Sequence, residues 1–182
     1  IMNNWFFNNE IGVYVKPVGS YHEEAYKFDK NWFEHVIIWN NLFMNNPIAI
    51  KLEYCRDTTV SRNTILNSAF NGICILDYQP NLLINRGYVN PGKLSIIQNV
   101  ISQANWGIYG YFVSNITIAN NIIQKCVKGI HTFFTNNSVI KNNFVTESSE
   151  EGIFIELNCT NSQISNNYLA YNNRGELRSK NS

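Results

Sequence analysis

Charge is scarce in this 182-residue chain. Asp, Glu, Lys and Arg make up 15% of it and sum to a net charge of +1, where about a quarter of residues is usual. That excludes the basic footprint of a nucleic-acid-binding protein and any acidic tail. Cysteine is limited to Cys55, Cys74, Cys126 and Cys159, with no Cys-x-x-Cys pair, so zinc is not expected. Cys55 and Cys159 hold similar turn positions but lie too many repeats apart for a disulfide, and free or partly buried thiols are expected. No apolar run reaches the roughly 18 residues of a membrane span. The opening, Ile1-Met2-Asn3-Asn4-Trp5, has neither the basic region nor the cleavage site of a signal peptide. Hydrophobic residues still make up 45%, enough to exclude gross disorder.

Asparagine is abundant instead, at 31 residues. It competes with the backbone and weakens helices, which argues against a helical protein. Its positions repeat. A polar residue followed by Asn recurs at Asn3-Asn4, Asn40-Asn41, Arg62-Asn63, Gln98-Asn99, Asn120-Asn121, Asn142-Asn143 and Asn166-Asn167, with spacings of 37, 22, 36, 22, 22 and 24. Three residues before the second Asn stand Ile38, Val60, Ile96, Ile118, Ile140 and Ile164. Two after it stand Phe6, Phe43, Ile65, Ile101, Ile123, Val145 and Leu169. About eight after it comes Gly12, Gly72, Gly107, Gly129, Gly152 or Gly175, with Pro47 substituting in the second copy, and then an aliphatic residue. A second Asx column lies six before the Asn: Asp57, Asn115, Asn137 and Asn161.

Each unit holds short apolar stretches with period-2 alternation, broken by Asn and Gly. Twenty-two residues are too few for two helices. Leucine is sparse, and the Leu-x-x-Leu-x-Leu core of a leucine-rich repeat is missing. Coils of three short strands fit, each coil pairing in parallel with the next about 4.8 Å away. Asn tolerates the left-handed turns, and stacked Asn side chains bond along the axis.

The segment SNITIANNIIQKCVKGI, residues 114–130, resembles the right-handed parallel β-helix repeat. That repeat is typical of polysaccharide lyases, glycoside hydrolases, uronan epimerases, phage tailspikes and periplasmic carbohydrate-binding β-helices. The resemblance implies an all-β solenoid of about seven coils over residues 1–178, then a polar tail at 179–182. It also implies an extracellular or periplasmic protein that binds, and in the enzymes cleaves, a polysaccharide. The other class it leaves open is a non-catalytic structural or adhesive β-helix, such as a phage spike or cell-surface segment. The first coil is already in pattern at Ile1, so the chain reads as a segment of a longer protein. Its N-terminal edge would be covered by missing sequence, a partner chain or self-association.

The long spacings mark insertions near 19–35 and 78–93. Both leave a coil after the Gly-Ile strand, so they emerge from one edge, where they either build a site or merely decorate it. Counting two and four residues after each glycine position gives an outward face. The first column reads Tyr14, Ala49, Cys74, Tyr109, His131, Phe154, and the second Lys16, Lys51, Leu76, Tyr111, Phe133, Glu156. Flat rings suit the apolar faces of sugars, although aromatics also favour strands for their own packing. Lys51, Tyr111, Phe133, Phe154 and Trp32 of the first insertion are the expected substrate contacts.

For hydrolysis, two carboxylates must flank the bond. Glu53 and Asp77, on neighbouring coils, are the first candidates, before Asp57, Glu156, Glu23, Glu24 and Asp29. For β-elimination, Tyr109 and His131 would serve as acid and base, although His131 also reads as an ordinary strand residue. The Asn-Thr-Asp, Asp-Asp and Gly-His-Gly signatures of polygalacturonases and the Asp-Pro-His-Glu of epimerases are absent. Calcium would need clustered carboxylates, which are sparse here, so no metal or other cofactor is expected.

Overall fold

The computed structural model describes residues 1–16, 35–53, 55, 57–76 and 92–180. Every element in them is a strand. In chain order these are β1 (Trp5–Phe7), β2 (Ile11–Val15), β3 (Ile37–Trp39), β4 (Leu42–Met44), β5 (Ile48–Glu53) and β6 (Thr58–Ser61). Then come β7 (Thr64–Leu76), β8 (Leu94–Ile97), β9 (Val100–Tyr111), β10 (Ile116–Ala119), β11 (Ile122–Gln124) and β12 (Lys128–Phe133). The last six are β13 (Val139–Lys141), β14 (Phe144–Thr146), β15 (Glu151–Glu156), β16 (Gln163–Ser165), β17 (Tyr168–Ala170) and β18 (Gly175–Lys180).

All pairings are parallel and join equivalent positions of successive repeats. One ladder runs β3-β6-β8-β10-β13-β16 and another β1-β4-β7-β9-β11-β14-β17. A third, β2-β5-β7-β9-β12-β15-β18, shares the long strands β7 and β9 with the second. The architecture is the right-handed parallel β-helix expected from the repeat. Ile118 pairs with Ile140 and Ile140 with Ile164, down one file. The three inward files meet in one core. Ile38, Ile96, Ile118, Phe43, Ile65, Ile101, Ile123, Ile50, Ile73, Ile108 and Ile130 are all fully buried.

The turns explain the asparagines. The residue before each ladder Asn has positive φ, from Asn3 (56°) through Asn40, Arg62, Gln98, Asn120 and Asn142 to Asn166 (53°). The Asx column at Asp57, Asn115, Asn137 and Asn161 does too, at 44–56°. A third left-handed column, Asn8, Asn45, Asn67, Gln103, Lys125, Glu147 and Tyr171, escapes the sequence because only three of its seven residues are Asn.

The second Asn of each pair turns inward and bonds to its counterparts. Asn121 donates Nδ2–H to Ile96 O at 2.9 Å and to Asn143 Oδ1 at 3.0 Å. Its own Oδ1 accepts from the Asn99 backbone N–H at 3.0 Å and Asn99 Nδ2–H at 3.1 Å. The pattern recurs from Asn4 to Asn167.

The glycine file is needed for space. A Cβ on Gly129 would collide with Val145 Cγ1 and with the Gly152 carbonyl oxygen. Here the structure corrects two assignments. Ala49, not Pro47, fills the glycine position of the second copy, because Ile50 pairs with both Val13 and Ile73. Pro47 instead sits at the bend, where its carbonyl accepts the N–H groups of Phe70 and Asn71. In the last copy Gly175 pairs with Glu151, so Glu176 holds the glycine position and Leu177 continues the aliphatic file. Ser179 and Lys180, assigned above to the tail, are paired in this same strand. Most of the two insertions, at 17–34 and 77–91, lies outside the described residues, and with it Trp32, Asp77, Glu23, Glu24 and Asp29.

Candidate functional site

The strands after the glycine file carry the expected outward face, but its columns shift in the second repeat. Lys51 pairs with Tyr14 and Cys74, not with Leu76. One column therefore reads Tyr14, Lys51, Cys74, Tyr109, His131, Phe154, Arg178. Next to it run Glu53, Leu76, Tyr111, Phe133, Glu156, Lys180. The two-residue shift follows from Ala49 replacing Pro47, and it brings Lys51 and Glu53 onto adjacent outward positions of one strand.

Glu53 is 5% exposed and centres the first cluster. The Tyr14 hydroxyl donates to its Oε2 at 2.6 Å, Lys51 Nζ lies 2.7 Å from Oε1, and Lys16 Nζ lies 3.9 Å from Oε2. Burial alone would raise the Glu53 pKa, but the bonds from Lys51 and Tyr14 and the charges of Lys51 and Lys16 outweigh it and hold the carboxyl below its ordinary range. Lys51 is shifted upward: burial opposes its charge, and Glu53 more than compensates. Beside this cluster Cys74 is buried, which pushes its thiol up to about 11.

The middle of the face is aromatic. Trp106 and Tyr109 rings lie 5.5 Å apart, and Tyr109 is 5.4 Å from the His131 ring. His131 stacks on Phe154 at 4.8 Å, and Tyr111 on Phe133 at 5.3 Å. At the strand ends Phe112 and Phe134 stack at 4.5 Å with planes 1° apart, both at positive φ (56° and 51°). Separations close to the strand spacing mean that each stacked ring turns a face to its neighbour. Trp106, Tyr109, Tyr111 and Phe133 remain half-buried, whereas His131 and Phe154 are buried.

His131 Nε2 lies 3.1 Å from Glu156 Oε2, while Nδ1 is enclosed and has no hydrogen-bond partner among the described residues. Burial is the largest influence on the ring and, helped by the Lys128 charge, lowers its pKa against the opposing pull of Glu156 and Glu151. A base must offer a nitrogen to substrate; here one nitrogen is held by Glu156 and the other is shut in. Among the described carboxylates of the face, Glu53 and Glu156 stand four strands apart, roughly 19 Å at the strand spacing, beyond the separation of either glycosidase pair.

A second ionic cluster, missed in the sequence, closes the face. Glu151 is 1% exposed and receives Arg178 Nη1–H at 2.9 Å, with Lys128 Nζ at 3.6 Å. Glu150 binds Lys128 at 3.1 Å and Arg174 at 2.9 Å. Burial pushes the Glu151 carboxyl up, but Arg178 and Lys128 prevail and hold it below its ordinary value. The signal lay one residue before the glycine file, at Trp106, Lys128 and Glu151.

Residues 86–182, just over half the chain, match the family described as periplasmic copper-binding protein (NosD). No curated protein and no solved structure matches the chain. Copper would need clustered imidazole, thiolate or thioether donors. Among the described residues no three His, Cys, Asp or Glu side chains converge. Of the His131 nitrogens, one is held by Glu156 and the other is enclosed. Burial pushes the Cys74 and Cys126 thiols up to about 11, which keeps them protonated. The described donors do not fit a copper centre.

Proposed function

The chain belongs to the NosD family of periplasmic proteins, and on that premise we propose that it is a periplasmic or extracellular β-helix that binds a polysaccharide. The observation carrying this reading is the aromatic patch of Trp106, Tyr109, Tyr111 and Phe133, half-buried and continuous across two strands, with an ionic cluster on each side. Half-exposed rings offer apolar area for sugar C–H groups, and neighbouring charges and hydroxyls can order a polyhydroxylated chain. The pairing of Glu53, Glu151 and His131 within the face supports binding rather than cleavage. The alternative, a purely structural or adhesive coil, draws support from the stacking of the rings on one another.

Affinity electrophoresis against neutral and uronic polysaccharides tests the reading. Retardation by at least one glycan is expected, with Tyr109→Ala or Tyr111→Ala weakening it about tenfold, as loss of a buried aromatic contact would. The same mixtures should yield no new reducing ends and no 235-nm absorbance. Product would replace binding by catalysis, and indifference to every glycan would favour the structural alternative.

A further inference from the structure

A second outward face differs in kind from the first. The strands β1, β4, β11, β14 and β17 and the first three residues of β7 and β9 contain no charged residue. At the two ends of the file the outward side chains are nevertheless open, with Trp5 75% exposed, Ile122 43%, Phe144 42% and Tyr168 54%, while Leu42, Thr64 and Val100 between them are half-buried. Trp5 pairs with Leu42, Leu42 with Thr64, Thr64 with Val100, and so on to Tyr168. The result is an uncharged apolar stripe seven strands long, roughly 29 Å at the strand spacing.

Exposed left-handed turns rail this stripe on both sides. Asn40, Asn120, Asn142 and Asn166 stand on one side, Asn45 and Asn67 on the other. Asn40 Nδ2–H bonds Asn3 Oδ1 at 2.9 Å, and Asn67 Nδ2–H bonds Asn45 Oδ1 at 3.0 Å. An amide has two donors and two acceptor lone pairs, so one bond along the axis does not exhaust it. The charges in the rails are few and mixed in sign: Arg62, Lys125 and Glu147.

We infer that this trough binds a neutral glycan chain lying along the β-helix axis, its apolar C–H surfaces on the stripe and its hydroxyls on the flanking amides. The occupant follows from the chemistry of the surface. A strand-adding peptide needs an unpaired sheet edge, whereas this is a sheet face whose interior strands pair on both sides. Membrane surfaces are met by amphipathic elements rich in Lys and Arg, which the stripe lacks. A uronan would meet no consistent positive rail. The site rests on the polysaccharide reading above but lies on a different face.

Calorimetric titration of the intact chain with cellohexaose, xylohexaose, mannohexaose and, as charged counterpart, hexagalacturonate tests it. Binding of at least one neutral hexasaccharide is expected. It should weaken at least tenfold in Ile122→Ser and Phe144→Ser, both exposed sites whose folding is checked by thermal melts, and persist in Gln163→Ala, an exposed change on the other ladder. The inference is overturned if no neutral hexasaccharide binds, or if Tyr109→Ala alone removes the binding. It is equally overturned if the two serine variants change the chain's mass in solution or its retention on vesicles instead. Loss of polysaccharide binding in Tyr109→Ala alone would leave the first face standing while removing the second.

Discussion

Two columns of seven residues run the length of this β-helix and obey opposite rules. The inward column from Asn4 to Asn167 is asparagine at every level. The outward column from Tyr14 to Arg178 holds Tyr, Lys, Cys, Tyr, His, Phe and Arg. Both are spaced by the same hydrogen-bonded ladder. The difference lies in what each side chain bonds to. An inward Asn accepts from the Asn before it and donates to the Asn after it, so only another Asn completes the chain of bonds. An outward residue meets a different neighbour on each side: His131 has Tyr109 and Phe154, and Phe154 has His131 and Arg178. Identity is required where like bonds like, and is free to vary where contacts are made pair by pair.

Breaking the uniform column should cost most. Asn121→Ala removes both Nδ2–H donations and both acceptances at a site 1% exposed, stranding Ile96 O and the Asn99 N–H. A loss of roughly 3–5 kcal/mol in urea unfolding is expected, from 1–3 kcal/mol per stranded buried group. A loss under about 1 kcal/mol would mean that the ladder is ornamental. Next in size is Gly129→Ala, which drives a methyl into Val145 and the Gly152 carbonyl. Overpacking of this kind costs about 1–3 kcal/mol, and a lowered melting temperature with unchanged far-UV circular dichroism would report it.

The same contrast explains what could be read from the sequence. The Asn pairs, the aliphatic files and the glycines repeat because their partners are copies of themselves, so the fold was legible from spacing alone. The third turn column was not, because a left-handed turn accepts Lys125, Glu147 or Tyr171 when the fold holds it there. The outward face was legible only in part. Tyr109, His131 and Phe154 were placed together correctly, but Lys51 was set one column out, because Pro47 was taken for the glycine position that Ala49 fills. The Glu151 cluster was hidden because Arg178 reaches it from a strand whose glycine had slipped by one residue.

A smaller effect is expected where the outward column makes one specific pair. Glu53→Gln leaves Lys51 without its carboxylate 2.7 Å away and should cost about 1 kcal/mol at pH 7. The Glu53 carboxyl is held below its ordinary value in the fold. Its contribution is therefore present above about pH 4.5 and drains as pH falls through the lower folded value. The variant should lose less further stability than wild type on acidification to pH 3. Equal losses would show that the fold leaves the Glu53 carboxyl unshifted, with Lys51 and Tyr14 no more than cancelling its burial.

The smallest change at neutral pH is expected from His131→Phe, and it isolates the one imidazole of the outward column. A phenyl ring fits between Tyr109 and Phe154, which already pack on the imidazole. It gives up the 3.1 Å bond to Glu156 but removes the unpartnered buried Nδ1, so the net change should stay below about 1 kcal/mol. The difference emerges on acidification. The groups facing His131 are Glu156 and Glu151, which favour its proton, and Lys128, which with burial opposes it and prevails. A folded pKa below the ordinary 6.5 means that the unfolded chain takes up a proton first. The stability held by the neutral ring is complete above pH 6.5 and lost progressively below it. The substituted phenyl ring cannot titrate, so the urea midpoint of His131→Phe should fall less than that of wild type between pH 7 and pH 5. Parallel curves would mean that the carboxylates cancel burial at the imidazole, and a larger fall in the variant would mean that Glu156, not burial, governs it.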